Sequence, residues 1–107
     1  MSQRFIIEMG MGNDLHGSDY TKAANRAVQD ALHGASLAIV QNVEGVRDDL
    51  VVKVTIGVQQ PNKVDPEPLK SLFPVGQVTV DVQKGGLDVG DTVVAQAAIE
   101  VFLPFQG

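Results

Sequence analysis

The sequence contains no cysteine and no tryptophan, and it has a single tyrosine, Tyr20. Without cysteine the chain has no disulfide bond, no zinc–thiolate site and no catalytic thiol. This composition fits a reducing compartment, and we expect a cytoplasmic protein. Aromatic side chains that could stack on nucleic-acid bases are in short supply.

Positive charge is also scarce. Lysine and arginine number 8 against 13 aspartates and glutamates, which gives a formal net charge of -5 at pH 7. The basic residues form no cluster, so we expect no nucleic-acid partner. No apolar run approaches the roughly 20 residues that cross a membrane, and Glu8 interrupts the first one. We therefore expect neither a membrane partner nor a signal peptide.

Regular apolar patterning is what the chain does have. Its 107 residues suffice for a single domain over residues 1–107. Alternation over residues 5–10 predicts a first strand. From Tyr20 onward the apolar positions recur at helical spacing, mostly as alanine, which predicts a long helix that ends at Gly34.

The rest of the chain is predicted to add strands, a short helix and loops. In order these are a short strand or buried connector (37–40), a loop (42–49), a strand (50–58), a loop (59–64), a helix capped by Asp65 and stopped before Pro74, a strand (78–82), a Gly-rich hairpin turn (85–91) and a last strand (92–103). The pattern predicts an α+β two-layer sandwich, in which a mostly antiparallel sheet of four to five strands is covered on one face by one long and one short helix.

Each predicted strand has one nearly pure apolar face, such as Phe5, Ile7 and Met9, which we expect to lie under the helices. The reverse faces mix apolar residues with charged ones such as Lys53 and Glu100. Exposure of the apolar residues to solvent is unfavourable, and burial of the charged residues in the core of a monomer is unfavourable too. We therefore expect a homo-oligomer whose second sheet face meets other copies, for example in a ring. The alternative is a monomer with an open, partly apolar sheet.

The most informative stretch is MGMGNDLHGSDYTK, residues 9–22, which leads from the first strand into the long helix. Its glycines, Gly10, Gly12 and Gly17, let backbone approach a ligand closely, and the helix start adds unpaired N–H groups and a positive dipole end. These features predict a binding site for a small anionic or carbonyl-bearing molecule. The stretch lacks the dinucleotide fingerprint and the phosphate-loop ending. The alternative role of the glycines is to permit a tight turn.

Thr21, Lys22 and Arg26 are predicted to bind the ligand together with these glycines. Lys22 lies in the first helical turn, where its charge is mismatched with the dipole and requires an anionic neighbour. That neighbour is either the ligand or a nearby aspartate. Arg26 lies one turn further along and extends the positive patch. The alternative for Lys22 is a side chain that extends into solvent.

Asp14 and His16 are the predicted catalytic residues. An imidazole has the near-neutral proton affinity that general acid–base chemistry needs, and a carboxylate beside it can share the proton. The alternatives are that Asp14 closes the turn, that His16 is a surface residue, and that both ligate a metal with Asp19. No metal site is predicted, since the calcium-loop pattern and a second nearby histidine are missing. The cofactor is left unassigned, and Asp19 is favoured as a helix cap.

Three further polar residues are given structural roles. His33 lies in the last turn of the predicted helix, where an imidazolium complements the dipole. Asp88 and Asp91 belong to the Gly-rich hairpin and are predicted to be turn residues.

Two blocks of the sequence resemble a family of short, uncharacterised conserved hypothetical proteins. They are MGMGNDLHGSDYTKAANRAVQDA, from residue 9, and GGLDVGDTVVAQAAIEV, from residue 85. The resemblance covers nearly the whole chain and implies that these blocks are the family's signature, without implying an activity. The element order also resembles one half of the sandwich of trimeric small chorismate mutases and reactive-intermediate deaminases, which bind small carboxylates between subunits; that likeness is one of fold.

These observations predict an oligomeric small-molecule-binding protein or enzyme with its site in residues 10–22, near a subunit interface. Asp14 and His16 would transfer a proton or polarise a carbonyl group. The loop amides, Thr21 and Lys22 would hold an anionic group. The alternative is a non-catalytic, self-assembling structural or regulatory module whose glycine loop only shapes an interface.

Overall fold

The computed structural model describes residues 2–42, 50–73 and 77–104. Within these ranges the elements are, in order, β1 (Ser2–Asp14), α1 (Tyr20–Asn42), β2 (Val51–Val58), a 3-10 helix (Pro61–Lys63), α2 (Glu67–Lys70), β3 (Gln77–Lys84), β4 (Leu87–Val89) and β5 (Thr92–Pro104). The predicted α+β class is confirmed. The sheet is open, five-stranded and mostly antiparallel, and it is accompanied by one long helix and one short one.

The sheet is built around β5, in the strand order β1-β5-β2-β3, with β4 also paired to β5. Strands β1, β2 and β4 run antiparallel to β5, whereas β3 runs parallel to β2. The hairpin is therefore formed by β4 and β5, so the predicted turn segment 85–91 itself contains a strand, and the strand before it pairs with β2. A parallel neighbour of β2 needs a crossover connection, which the 3-10 helix and α2 supply.

Helix α1 lies across one face of the sheet, and the buried apolar side chains form one cluster. From α1 the cluster takes the predicted stripe: Tyr20, Ala23, Ala24, Ala27, Val28 and Ala31. From β2 and β5 it takes the predicted apolar faces: Val52, Val54, Ile56, Val93, Ala95, Ala97, Ile99 and Val101. Helix α2 buries Leu69 against this core, and Asp65 accepts a hydrogen bond from the Glu67 backbone N–H at 3.1 Å, although Pro66 holds the N-cap position.

Strand β1 departs from prediction in length and in orientation. It continues past Gly10 to Asp14, and it is Gly10, Gly12 and Asp14 that are buried towards the helix, while Ile7 and Met9 are exposed. The cause is the closeness of α1. A Cβ atom added at Gly10 would lie 2.5 Å from the Ala27 carbonyl oxygen, so a larger residue does not fit beneath the helix.

Helix α1 is also longer than predicted, because it continues through Gly34 to Asn42. One glycine inside a helix costs about 1 kcal/mol relative to alanine, which does not stop a helix whose following residues favour it. The short strand or connector predicted at 37–40 is therefore wrong, and His33 is not in the last turn. Residues 43–49 of the predicted loop lie outside the described residues. Neither α1 nor another helix in the described ranges is long and apolar enough to cross a bilayer.

Candidate functional site

The loop after β1, residues 15–19, lies beside the β4–β5 hairpin. This follows from the register, in which Asp14 at the end of β1 pairs with Val93 at the start of β5. The Thr92 hydroxyl of β5 donates a hydrogen bond to the Leu15 carbonyl oxygen at 3.1 Å, which links this loop to the hairpin. The polar groups that meet here are called the loop–hairpin cluster: Asp14, His16, Ser18, Asp19, Tyr20, Lys22, Asp88 and Asp91.

Asp14 is the buried carboxylate of this cluster. Its Oδ2 atom accepts the Asp19 backbone N–H at 3.0 Å, and its Oδ1 atom lies 3.6 Å from the Lys22 ammonium nitrogen. The hydrogen bond from Asp19 lowers the pKa of the Asp14 carboxyl below its ordinary value; burial opposes this shift and the Lys22 charge adds to it. Asp14 is therefore an ionised group that fixes the start of α1.

The start of α1 is satisfied by the chain's own carboxylates. Asp19 accepts the Lys22 backbone N–H at 3.0 Å, which confirms it as the helix cap. The anionic neighbour of Lys22 is Asp14, so one of the two alternatives left open by the sequence is realised within the fold. Arg26 donates to the Asn13 carbonyl oxygen at 2.7 Å. Because the cluster holds four aspartates against one lysine, its surroundings are acidic.

His16 lies on a loop whose backbone is strained. The side chain is 86% exposed, and its Nδ1 atom lies 3.3 Å from Oδ2 of Asp91. Gly17 has φ +95° and Ser18 has φ +53°, a left-handed conformation that costs a non-glycine residue energy. The Ser18 hydroxyl donates to the Asp91 carbonyl oxygen at 3.4 Å. Asp91 thus engages both the imidazole and the strained residue beside it.

Tyr20 links the helix start to the hairpin. Its buried hydroxyl donates a hydrogen bond to Oδ2 of Asp88 and accepts one from the Gln60 side-chain amide at 3.0 Å. The bond to Asp88 raises the pKa of the Tyr20 hydroxyl above its ordinary value, and burial acts in the same direction.

This shift predicts an alkaline titration that is easily read, because Tyr20 is the only tyrosine and tryptophan is absent. The near-ultraviolet absorbance of tyrosinate should appear with a midpoint above 10.0 in the folded protein, and Asp88→Asn should return it towards that value. The folded chain holds the phenolic proton more tightly than the unfolded chain. The stability that the protonated Tyr20 hydroxyl adds to the folded state is therefore fully present below pH 10.0, and it is lost as the pH rises through the raised pKa. An unshifted wild-type midpoint would contradict the Tyr20–Asp88 bond.

The predicted ligand-binding residues are not all brought together. Gly10 and Gly12 lie within β1 under the helix, and close packing accounts for them. Gly17 has φ +95° in the turn between β1 and α1, which is the alternative role that the sequence analysis gave to the glycines. The Thr21 hydroxyl donates to the Lys63 carbonyl oxygen at 3.4 Å and accepts the Asp65 N–H at 2.9 Å, which ties α1 to the connection after β2.

Sequence reasoning missed the hairpin aspartates, Asp88 and Asp91, which it treated as turn residues. They reach Tyr20 and His16 across 68 and 75 residues of chain. No local spacing signals such a contact, because it depends on the antiparallel pairing of β1 with β5. The two predicted catalytic residues have different partners, since Asp14 pairs with Lys22 whereas His16 pairs with Asp91.

Two other features bear on ligand binding. Among the described residues, no group of three or more histidine and carboxylate side chains is placed to hold a metal ion. A groove of about 600 Å³ lies mainly on the sheet face opposite α1 and reaches the sheet edge at Gly10, where Asp30 of α1 also lines it. Its lining includes Met9, Met11, Thr55, Gly57, Gln83, Lys84, Gly85, Gln96 and Ala98. His16 and Lys22 are not part of it.

Comparison with known proteins identifies the family. Residues 4–101 match the model of the conserved hypothetical proteins called Lin0512_fam, and the chain belongs to this family. It is similar to an FtsZ-like protein of unknown function from Nostoc punctiforme, with 34% identity, 95% of this chain and 96% of that chain covered, and a TM-score of 0.82. None of the curated proteins matches the chain.

A second solved structure shows a weaker likeness. It is an empty FtsZ dimer from M. jannaschii, 16% identical to this chain, with a TM-score of 0.38. The match covers 88% of this chain but only 26% of that one. At this level the likeness supports no conclusion about fold or function.

Proposed function

We propose that this member of the family is a homo-oligomeric small-molecule-binding protein of the cytoplasm, with its site at the loop–hairpin cluster inside the predicted segment 10–22 and near a subunit interface. The observation that supports this function is the imidazole of His16, aligned by Asp91 on a loop that keeps Ser18 at φ +53°. Strained backbone that the surrounding structure maintains is concentrated at functional sites.

His16 is the proton-transfer group of the proposed site. Asp91 engages Nδ1, and in the described part of the chain the other ring nitrogen, Nε2, has no hydrogen-bond partner. An imidazole held on one side by a carboxylate and open on the other is arranged to exchange a proton with, or donate a hydrogen bond to, a bound molecule. Asp14, whose oxygens are engaged by Asp19 and Lys22, positions the loop rather than reacting.

A neutral carbonyl compound suits the proposed site better than an anion. The helix-start N–H groups of Asp19 and Lys22 are already bonded to aspartates, and the aspartates of the cluster repel negative charge. The Lys22 side chain is 53% exposed, which leaves one cation able to approach a carbonyl oxygen. The second candidate function, a non-catalytic self-assembling module, is favoured by exposed apolar side chains on the sheet, including Met9 and Met11.

The two histidines of the chain allow a direct test by NMR. His16 and His33 give separate imidazole resonances, and only His16 lies in the cluster. Titration with small aldehydes and ketones is expected to shift the His16 resonances and leave those of His33 in place. Simple carboxylates at the same concentrations form the anionic arm of the test. Asp91→Asn should weaken the binding roughly tenfold, because it replaces the charged acceptor beside the His16 imidazole with a neutral amide.

His33→Ala is the matched control, since it removes an exposed imidazole outside the cluster and should leave the affinity unchanged. Wild type is expected to show ligand-induced thermal stabilisation, and His16→Ala should abolish it. If neither class of compound moves the His16 resonances, the site is refuted and the self-assembling module becomes the better account. A response confined to carboxylates would support binding while refuting the carbonyl class.

A further inference from the structure

The sheet face opposite α1 carries an unusual amount of exposed apolar surface. Six large apolar side chains project from it, and they are called the open-face set: Ile7, Met9, Met11, Val51, Leu87 and Val89. Met9 is 72% exposed and Met11 is 59% exposed. Scattered apolar residues are normal on a protein surface, but a contiguous apolar patch indicates an interaction site.

The strand register places these side chains on one face. Directly paired residues of antiparallel strands project to the same side, and Met9 pairs with Ala98 while Met11 pairs with Gln96. Their neighbours in β5, Ala95 and Ala97, are buried on the opposite side, under α1. In β4 and β2 the same parity applies, because Leu87 pairs with Val94, and Val51 pairs with Phe102.

This face is also nearly neutral, although the whole chain has a formal charge of -5. In the register, Lys53 stands directly opposite Glu100, Asp81 pairs with Thr55, and Arg4 pairs with Phe102. Lys84 and Asp30 also line the groove, so positive and negative residues are equal in number. Two copies of an acidic chain can meet most easily where their charge is lowest.

The outer edge of β1 is closed to strand addition near the same patch. Asp30 accepts the Met11 backbone N–H at 3.0 Å, and Arg26 donates to the Asn13 carbonyl oxygen at 2.7 Å. These are two groups that an added strand would need, and α1 side chains occupy both. Association at this end of β1 therefore favours the face of the sheet over its edge.

We infer that a second copy of this chain covers the open-face set, so that two sheets pack face to face and close the groove between them. A four-strand width and an eight-residue length give roughly 500 Å² of projected surface. This is of the order of the roughly 800 Å² that each partner buries in a stable interface. A two-fold axis places the same apolar side chains opposite each other, which suits a self-complementary patch. The inference rests on the homo-oligomer proposed above and specifies its surface.

The test compares the mass of the full chain with that of face variants by sedimentation over about 1 to 100 µM. Wild type is expected to exceed the 11.4 kDa of one chain, and Met9→Lys/Met11→Lys should sediment as a single folded chain. The matched control is Gln29→Lys/Asn62→Lys, which adds the same charge at exposed positions off this face and should assemble like wild type. Leu87→Lys provides a second face variant from a different strand.

Methionine oxidation by peroxide gives an independent readout on the unaltered chain. Met9 and Met11 should oxidise more slowly at concentrations where the chain is assembled than after dilution. Equal rates in the assembled and dissociated states would overturn the inference, and so would face variants that assemble as wild type does. A wild-type chain of single mass overturns the homo-oligomer itself. None of these results bears on the His16 resonances, so ligand binding is judged separately.

Discussion

Gly12→Ala is expected to lower the free energy of unfolding by about 3 kcal/mol, a large share of the 5–15 kcal/mol typical of a domain. A Cβ atom at Gly12 would lie 2.5 Å from the Ala23 carbonyl oxygen and 2.6 Å from the Arg26 carbonyl carbon. Both are backbone atoms of α1, so no rotamer change relieves the clash and the helix has to move away from β1. Urea denaturation followed by circular dichroism measures the effect.

Gly90→Ala is the control for this variant, because it isolates the other cost of replacing a glycine. Gly90 has φ +60°, and no atom of the described residues lies within 4 Å of an added Cβ, so only the conformational penalty of roughly 1–2 kcal/mol applies. Gly10→Ala should behave like Gly12→Ala, since it meets the backbone of the same helix one turn later. Similar losses in Gly12→Ala and Gly90→Ala would show that α1 does not lie as close to β1 as described.

Ile99→Ala is expected to cost about 2–5 kcal/mol, the second large effect. Ile99 is fully buried in β5, where it faces α1, and truncation leaves a cavity that the neighbouring strands and helix cannot fill. The measurement is again urea denaturation, at a protein concentration low enough for a single-chain species.

Ile7→Ala removes the same atoms from the opposite face and serves as the matched control. Ile7 is 42% exposed, so its loss from a single chain should cost less than about 1 kcal/mol. If the two isoleucine variants lose equal stability under these conditions, the assignment of the β1 and β5 faces is wrong.

Much of the fold could be predicted from the sequence, because apolar periodicity is a local signal. The stripe from Tyr20 to Ala31 predicted α1, and the alternation in β2 and β5 predicted which residues meet it. The orientation of β1 could not be predicted in this way. Glycine carries no side chain, so burial of Gly10 and Gly12 under an alanine-rich helix leaves no apolar pattern to detect.

The candidate site was less accessible to sequence reasoning. The segment that joins β1 to α1 singled out Asp14, His16 and Lys22, and all three take part in the loop–hairpin cluster, while their predicted roles stay predictions. Their partners could be assigned only in three dimensions. Asp91 is brought to His16 by strand pairing, and the charge of Lys22 is matched by Asp14, so the expected excess of positive charge is not present.

The pairing of β1 with β5 has a consequence for the nascent chain. Within the described residues, β5 is the sheet partner of β1, and residues 15–91 separate the two strands. On the ribosome, β1 therefore waits unpaired while α1, β2 and β3 are synthesised, and the sheet is completed only when the last strand emerges. Because the contacts between β1 and β5 join residues that are far apart in the sequence, this topology has a high contact order, and we expect it to fold slowly.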